Sequence, residues 1–487
     1  MPRVKPLSVL SVASECWPLV KTGGLADVVG ALPAAVEPHG IAMTRFVPGY
    51  PAVLRALGRK RTVHRYEALL GAPARILAAT HDGRPLLVLD APAYFDRDGG
   101  PYADAMGRDW FDNGLRFAAL ARAAADIASG RAGMKGFDLL HAHDWQAGLA
   151  PAYLAYTVPA EQRPASVMTI HNMAFQGFFG ADFFDRLALP RTAWSIDGVE
   201  YHGGVGMLKA GLMLADAITT VSPGYAEEIK RPQFGMGLEG LIVGRQDRLY
   251  GIVNGIDTDQ WNPANDPALA ARFTARTLGA RAANRRAVEA AFGLAPAEGP
   301  LFVVISRLTW QKGMDVLIEV ADHLVGLGGR LALLGSGDVA IEAGLHAAAA
   351  RHPGRIGIRI GYDEPLSHLM QGGGDAILVP SRFEPCGLTQ LYGLAYGCVP
   401  IVARTGGLGD TVVDANLAAL DAKAATGLQF APVSYEGLAD AITRAIRLFA
   451  DRAAWQQMQR AGMATDTSWA RSGAAYAALY RRLKETQ

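Results

Sequence analysis

Apolar positions along this chain come in short continuous runs, each followed by a glycine-rich or polar turn and then by apolar residues every third or fourth position. Val9 to Ala13 is one such run. After Gly23-Gly24, the positions Leu25, Val28, Val29, Leu32 and Val36 fall on one helical face. The strand, turn and helix recur. Leu86–Leu89, Asp138–His143, Ser166–Ile170 and Ala217–Val221 read as buried strands, and the alanine-rich stretch from Gly114 to Ala128 as a helix. A second series begins after Tyr250-Gly251-Ile252-Val253-Asn254-Gly255, with strands at Leu301–Ile305, Leu331–Leu334, Ile356–Ile360, Ala376–Val379 and Val399–Val402. Strands alternating with helices predict parallel sheets covered on both faces. The fold class is therefore α/β with two doubly wound, Rossmann-like domains, residues 1–251 and 252–459. A final helical segment, 460–487, is expected to pack back across the boundary. Ligands of such sheets bind beyond the carboxyl ends of strands, so the expected site is a cleft between the domains.

Composition agrees with a globular protein and narrows its partners. Half of the 487 residues are hydrophobic, enough for two or three substantial cores. Forty-seven basic side chains nearly balance 46 acidic ones, which argues against nucleic acid or an acidic membrane as partner. Neither charge nor motif sets an oligomeric state. Cys16, Cys386 and Cys398 are odd in number and lack a C-x-x-C pair, which fits a reducing compartment. Arg3 and Lys5 before Leu7–Ala13 imitate a secretory leader, but Glu15 stands where a small cleavage residue is required. No apolar stretch reaches the roughly 20 residues of a membrane helix. A cytoplasmic protein is expected.

Two loops far apart in the chain echo each other: Lys21-Thr22-Gly23-Gly24-Leu25-Ala26-Asp27 and Arg404-Thr405-Gly406-Gly407-Leu408-Gly409-Asp410. A cation, a hydroxyl and two glycines at a helix start suit an anion held by backbone amides. After the strand ending at Ile305, Arg307 and Lys312 form a basic pair that is either a solvated surface or a diphosphate grip. In Pro380-Ser381-Arg382-Phe383-Glu384-Pro385-Cys386-Gly387-Leu388-Thr389-Gln390, a helix is expected from about Gly387. The amides of Gly387, Leu388 and Thr389 would form a second phosphate cradle. Glu384 is either a helix cap or a carboxylate aimed at a neutral or positive group.

Taken together, the motifs resemble the bacterial glycogen (starch) synthases, GT-B glycosyltransferases. The resemblance spans essentially the whole chain, through Ser14-Glu15, the Lys21–Val28 loop, His141-Ala142-His143-Asp144-Trp145-Gln146, Thr169-Ile170-His171-Asn172, Gly251–Asp257, Ser306-Arg307-Leu308, Gln311-Lys312-Gly313 and Glu384–Gly393. It implies transfer of glucose from ADP-glucose to the non-reducing end of an α-1,4-glucan with retention of configuration, without a cofactor or metal. In such an enzyme Lys21, Gly23 and Gly24 would face the nucleotide sugar, and Arg307 and Lys312 would hold its diphosphate. Cys386, Gly387, Leu388 and Thr389 would line the phosphate, and Glu384 would bond the donor glucose. Tyr362 would lie against adenine. His171 and Asn254 would contact the transferred glucose, and Asp144 would stand near the reacting centre. Gly206 departs from the family pattern, and a looser acceptor-side loop is expected there.

Three alternatives remain at this level. His141 and His143 have the H-x-H spacing of a metal pair, but no further His or carboxylate cluster completes a ligand set, so satisfied histidines are the expected reading. Asp257-Thr258-Asp259 and Asp96-Arg97-Asp98 have the D-x-D form of a metal-bound diphosphate site, although both lie in turn-rich stretches. Trp17, Trp110, Trp145, Trp261 and Trp310 could serve a non-catalytic sugar-binding protein by stacking on rings. Asp144 as a nucleophile partnered by Glu384 is a fourth, mechanistic variant.

Overall fold

The structure is a computed structural model in which residues 6–486 are described; Arg3 of the leader-like pattern, and Lys5 with it, lie outside them. The chain forms two compact units. The first runs through Asn254 and includes the segment from Trp469 onward, and the second is Gly255–Ser468.

The strands of the first unit are β1 (Leu7–Val12), β2 (Ile41–Pro48), β3 (Arg61–Leu69), β4 (Ala72–His81), β5 (Arg84–Asp90), β6 (Leu139–His143), β7 (Ala165–Ile170), β8 (Phe178–Phe179), β9 (Glu200–Tyr201), β10 (Gly204–Gly206), β11 (Ala217–Thr220) and β12 (Leu249–Gly251). Nine of them form one sheet in the order β12-β11-β7-β6-β1-β2-β5-β4-β3. Pairing is parallel from β12 to β5 and antiparallel where β4 meets β5 and β3. The leader-like run Leu7–Val12 is thus an interior strand. From β1 the chain proceeds to β2 on one side and later to β6 on the other, so the carboxyl ends of β1 and β6 flank a topological switch point.

Alternation along these strands sends side chains to two different cores. Leu10, Val12, Leu140, Ala142, Met168 and Ile170 enter one. Val9, Leu139, Val167 and Ala217 enter the other, together with Val28 and Leu32 of the helix Gly24–Val36 and Tyr476 and Tyr480 of the helix Ala470–Glu485. The two helices pack closely because residue 473 is Gly: a Cβ there would overlap the Ala35 carbonyl. Where the sequence suggests one crossing segment from 460, the structure has two elements. Helix Arg452–Ala464 buries Trp455 and Met458 in the second unit, extended backbone follows at Thr465, and the part belonging to the first unit starts at Trp469.

The second unit contains β13 (Leu301–Ile305), β14 (Arg330–Gly335), β15 (Ile356–Ile360), β16 (Ala376–Val379), β17 (Val399–Ala403) and β18 (Leu428–Phe430). They form a wholly parallel sheet in the order β15-β14-β13-β16-β17-β18. Its switch point lies between β13 and β16, where the loops after Ile305 and Val379 begin. The expected α/β class with Rossmann-like domains is the observed one.

Candidate active site

In the second unit the two switch-point loops are built against each other. Gly313, at φ 68°, opens the helix Met314–Gly326, and a Cβ there would overlap the Pro380 carbonyl. The Arg382 amide donates to the Gln311 carbonyl at 2.8 Å. Arg382 itself makes a two-pronged bond to Asp315 at 2.7 Å and lies over the Trp310 ring. This clamp brings Lys312 to Glu384, Nζ to Oε at 2.5 Å, and Ser381 Oγ donates to the same carboxylate oxygen at 2.9 Å. Both ionic groups are largely buried. The lysine therefore arrives already paired, and the positive group expected opposite Glu384 is Lys312. Arg307 is different: it is exposed and forms no ion pair among the described residues.

The helix expected from Gly387 begins two residues later, at Thr389, and runs to Tyr396. Gly387 precedes it at φ 73°, a conformation that favours glycine. Among the described residues, the amides of Gly387, Leu388 and Thr389 donate no hydrogen bond. They form an open row of N–H groups at a helix start, next to the Lys312–Glu384 pair. Gln390 fixes the loop from behind, donating to the carbonyls of Cys386 at 3.0 Å and Gly387 at 2.8 Å. Tyr362 follows Gly361 beyond the end of β15 and is exposed.

The two echoing loops have separate jobs. Both open helices, Gly24–Val36 and Gly406–Thr411. The Gly407 amide, however, donates to the carbonyls of Glu384 and Pro385 at 3.2 Å each. A Cβ at Gly407 would overlap the Cys386 carbonyl, so this loop is the buttress of the 384–387 turn. At the other copy the anion is internal. The amides of Thr22 and Gly23 and the Thr22 hydroxyl all donate to the Glu15 carboxylate, as does the Tyr102 hydroxyl. Lys21 is paired with Asp27 at 2.8 Å. A substrate anion is therefore not the guest of Thr22 and Gly23 in this structure. Glu15, seven residues upstream in the same motif, was the signal for this; a glycine loop invites an external phosphate and hides an internal one.

In the first unit, Asp144 and His171 meet at the carboxyl ends of β6 and β7, and Asn254 follows the end of β12. Asp144 follows β6 directly and is buried in the left-handed region at φ 54°. Its carboxylate accepts the His171 amide at 2.7 Å. Burial outweighs that bond and pushes the carboxyl up to about 7. Asn254 is also buried, and its Oδ1 has no hydrogen-bond partner among the described residues. Beside Asp144 and His171 runs a polar layer of Ser11, His141, His143, Thr169 and Thr219, all wholly buried, of which the sequence motifs include the two histidines and Thr169 but not Ser11 or Thr219. His141 reaches Tyr480 OH at 2.7 Å and Thr169 Oγ1 at 2.5 Å, and Thr169 meets Thr219. His143 reaches Ser11 Oγ at 3.0 Å and His171 Nε2 at 3.1 Å. Burial holds all three imidazoles well below their ordinary range, His141 and His171 at about 3.

The alternative readings meet specific partners. Every ring nitrogen of His141 and His143 is engaged by another side chain, the arrangement of satisfied histidines. Asp257 accepts the amides of Asp259 and Gln260, forming a turn, and Arg97 pairs with Asp112. Among the described residues no group of three or more His, Cys, Asp or Glu is placed to hold a metal, and no helix is long and apolar enough to cross a membrane. Trp261 is sandwiched between His368 and Tyr392, and Trp145 packs edge-on to Phe117. Gly206 ends β10 and does not loosen a loop: a Cβ there would lie 2.9 Å from that of Tyr201.

Comparison with known proteins places this geometry in context. Residues 8–244 match the model of the starch synthase catalytic domain, and residues 287–461 that of glycosyl transferases group 1. The chain is 67% identical to a glycogen synthase of Novosphingobium aromaticivorans over 98% of its own length and 99% of the relative's. It is 59% identical to a glycogen synthase of Rhizobium tropici over the same shares. Among solved structures, the catalytic domain of starch synthase IV from Arabidopsis thaliana, bound to ADP and acarbose, superposes with a TM-score of 0.88 at 30% identity, over 99% of this chain and all of that one.

Proposed function

The chain belongs to the glycogen and starch synthase family of GT-B glycosyltransferases, and from that membership we propose the reaction and the residues that carry it. Glucose passes from ADP-glucose to the non-reducing end of an α-1,4-glucan, with the anomeric configuration retained and ADP released. The observation that carries this reading is end-to-end identity of 67% with a glycogen synthase.

The residue roles follow from charge. A glycosyl-cation-like transition state leaves negative charge on the departing diphosphate, so groups that bind that charge accelerate the step. Exposed Arg307, Lys312 and the open amides of Gly387, Leu388 and Thr389 supply them, with Cys386 in the same turn. Glu384 holds Lys312 in place and has a carboxylate edge for donor-glucose hydroxyls. Tyr362 stacks on adenine. In the first unit, His171 and Asn254 bind the transferred glucose and Asp144 stands near the reacting centre, while Lys21, Gly23 and Gly24 face the nucleotide sugar. Retention then needs no protein nucleophile, because the leaving phosphate oxygen can take the proton of the attacking hydroxyl on the same face. The positive charge comes from the protein, without a divalent metal, and the enzyme works in the cytoplasm.

An assay of ADP release with glycogen as acceptor tests this. Release from ADP-glucose is expected, with a higher kcat/KM than for UDP-glucose and no loss in a chelator. No release from either donor overturns the assignment.

A further inference from the structure

We propose that Ser11 and His143 are positioning residues that lock His171 in its Nδ1–H tautomer, so that its ring presents a proton donor and not a base to the transferred sugar. The donor role rests on His171 acting on that sugar, as proposed above; the tautomer lock can be tested without it.

Three buried groups form a directed row. Ser11 Oγ lies 3.0 Å from His143 Nε2, and His143 Nδ1 lies 3.1 Å from His171 Nε2. Ser11 and His143 are wholly inaccessible to solvent, and among the described residues neither side chain has another hydrogen-bond partner. The single hydroxyl proton of Ser11 therefore has one acceptor within reach, His143 Nε2. If that nitrogen instead carried a proton and donated it, the serine O–H would be buried without a partner and its desolvation uncompensated. With the hydroxyl donating, His143 Nε2 is the acceptor. A neutral His143 then carries its proton on Nδ1 and donates it to His171 Nε2. Neutral His171 must in turn hold its proton on Nδ1.

The surroundings support the neutral forms on which this depends. Burial disfavours imidazolium at all three histidines. His141 lies against His143 with ring centroids 4.0 Å apart, but its nitrogens are committed to Tyr480 and Thr169, so it does not intercept the row. The backbone of His171 is tied independently by its amide bond to Asp144. His171 Nδ1 has no hydrogen bond among the described residues, which leaves it to a ligand. An N–H at that point suits a sugar oxygen as acceptor and rules out proton abstraction by this ring from the acceptor hydroxyl.

Nitrogen-15 NMR of the full chain labelled at histidine reads tautomers directly. The expected spectrum shows both His143 and His171 as Nδ1–H forms; His171 as the Nε2–H form overturns the proposal. In Ser11→Ala the constraint is gone, and His171 is expected to populate both tautomers, with kcat lowered about tenfold or more and KM for glycogen little changed. Ser11→Thr, which keeps the hydroxyl on a strand position, restores both. A Ser11→Ala protein whose His171 keeps a pure Nδ1–H signal also overturns the proposal. A shifted tautomer with unchanged kcat keeps the lock but removes His171 from the chemistry. Should Ser11→Ala fail to fold, the wild-type spectrum still decides.

Discussion

Two kinds of buried titrating group at the carboxyl ends of β6 and β7 pull stability in opposite directions as pH changes. The imidazoles of His141 and His171 titrate near 3 in the folded chain, far below their ordinary 6.5. Above pH 6.5 they cost nothing. As pH falls below that value the unfolded chain takes up protons that the folded one refuses, so stability is lost, by about 2 kcal/mol per histidine at pH 5. Asp144 runs the other way. Its folded value of about 7 lies above the ordinary 3.8, so ionisation is penalised progressively from pH 4 to 7 and fully above 7, with a ceiling of about 4 kcal/mol. Asp144→Asn keeps the acceptor for the His171 amide, and Asn tolerates the left-handed backbone. Its melting temperature should exceed that of the parent at pH 8, match it at pH 4, and show a steeper acid decline. Equal shifts at both pH values would mean that Asp144 is not buried as a charge. Neither effect was legible in the sequence. His141, His143 and Asp144 could be singled out as chemistry, but their burial could not: His141 meets Tyr480, more than 300 residues away in sequence, and His143 meets Ser11 and His171.

At the scale of elements, glycines separate the two loops that look alike in sequence. Gly23 sits in extended backbone with open space around its α-carbon. Gly407 has the Cys386 backbone against it. Gly23→Ala should therefore leave the melting temperature within about 2 °C, whereas Gly407→Ala should displace the 384–387 turn and cut kcat about a hundredfold. Steady-state kinetics beside thermal denaturation would check this; equal effects would contradict the division of roles. The Lys312–Glu384 pair gives a second prediction. Removing either partner strands the other charge in a largely buried position, so each single alanine variant should lose about 2 kcal/mol or more, and the double variant less than the sum. Denaturant titrations of all four proteins measure that coupling. Activity should fall further than stability in every variant if, as proposed above, the lysine also meets the leaving diphosphate.

Element identity was largely readable because buried parallel strands are continuous apolar runs. Leu86–Leu89, Leu301–Ile305, Ala376–Val379 and Val399–Ala403 show this. What escaped has a physical reason. β2 contains Thr44 and Arg45, whose guanidinium is buried against the His81 carbonyl and Cys16 Sγ, so its run looks broken. The antiparallel β3–β4 extension is a half-exposed edge rich in charged residues. Among site residues, the open row of amides at 387–389 was legible from its glycine and helix start, although the helix begins two residues later than expected. The Glu15 contacts were missed, although Glu15 stands seven residues upstream, because nothing in a Thr-Gly-Gly motif itself says whose oxygen will occupy it.

On the scale of the whole molecule, the first unit is made from both ends of the chain. Helix Ala470–Glu485 covers Val9, Leu139 and Val167 with Tyr476 and Tyr480, and the Tyr480 hydroxyl satisfies His141. Ser472 Oγ adds a bond to the Val253 carbonyl at 2.5 Å. A chain ending at Ser468 should therefore expose one face of the large sheet. Its first unit should melt at least 10 °C lower, as a separate calorimetric transition, while the second unit stays near its parental temperature. A single unchanged transition would show that the helix is dispensable. The same arrangement reverses the order in which a ribosome would seem to set these units. The half synthesised first stays without its covering helix through translation of everything that follows, and the half synthesised later is complete before it. The helix for which the earliest strand waits emerges only after the whole of the second unit.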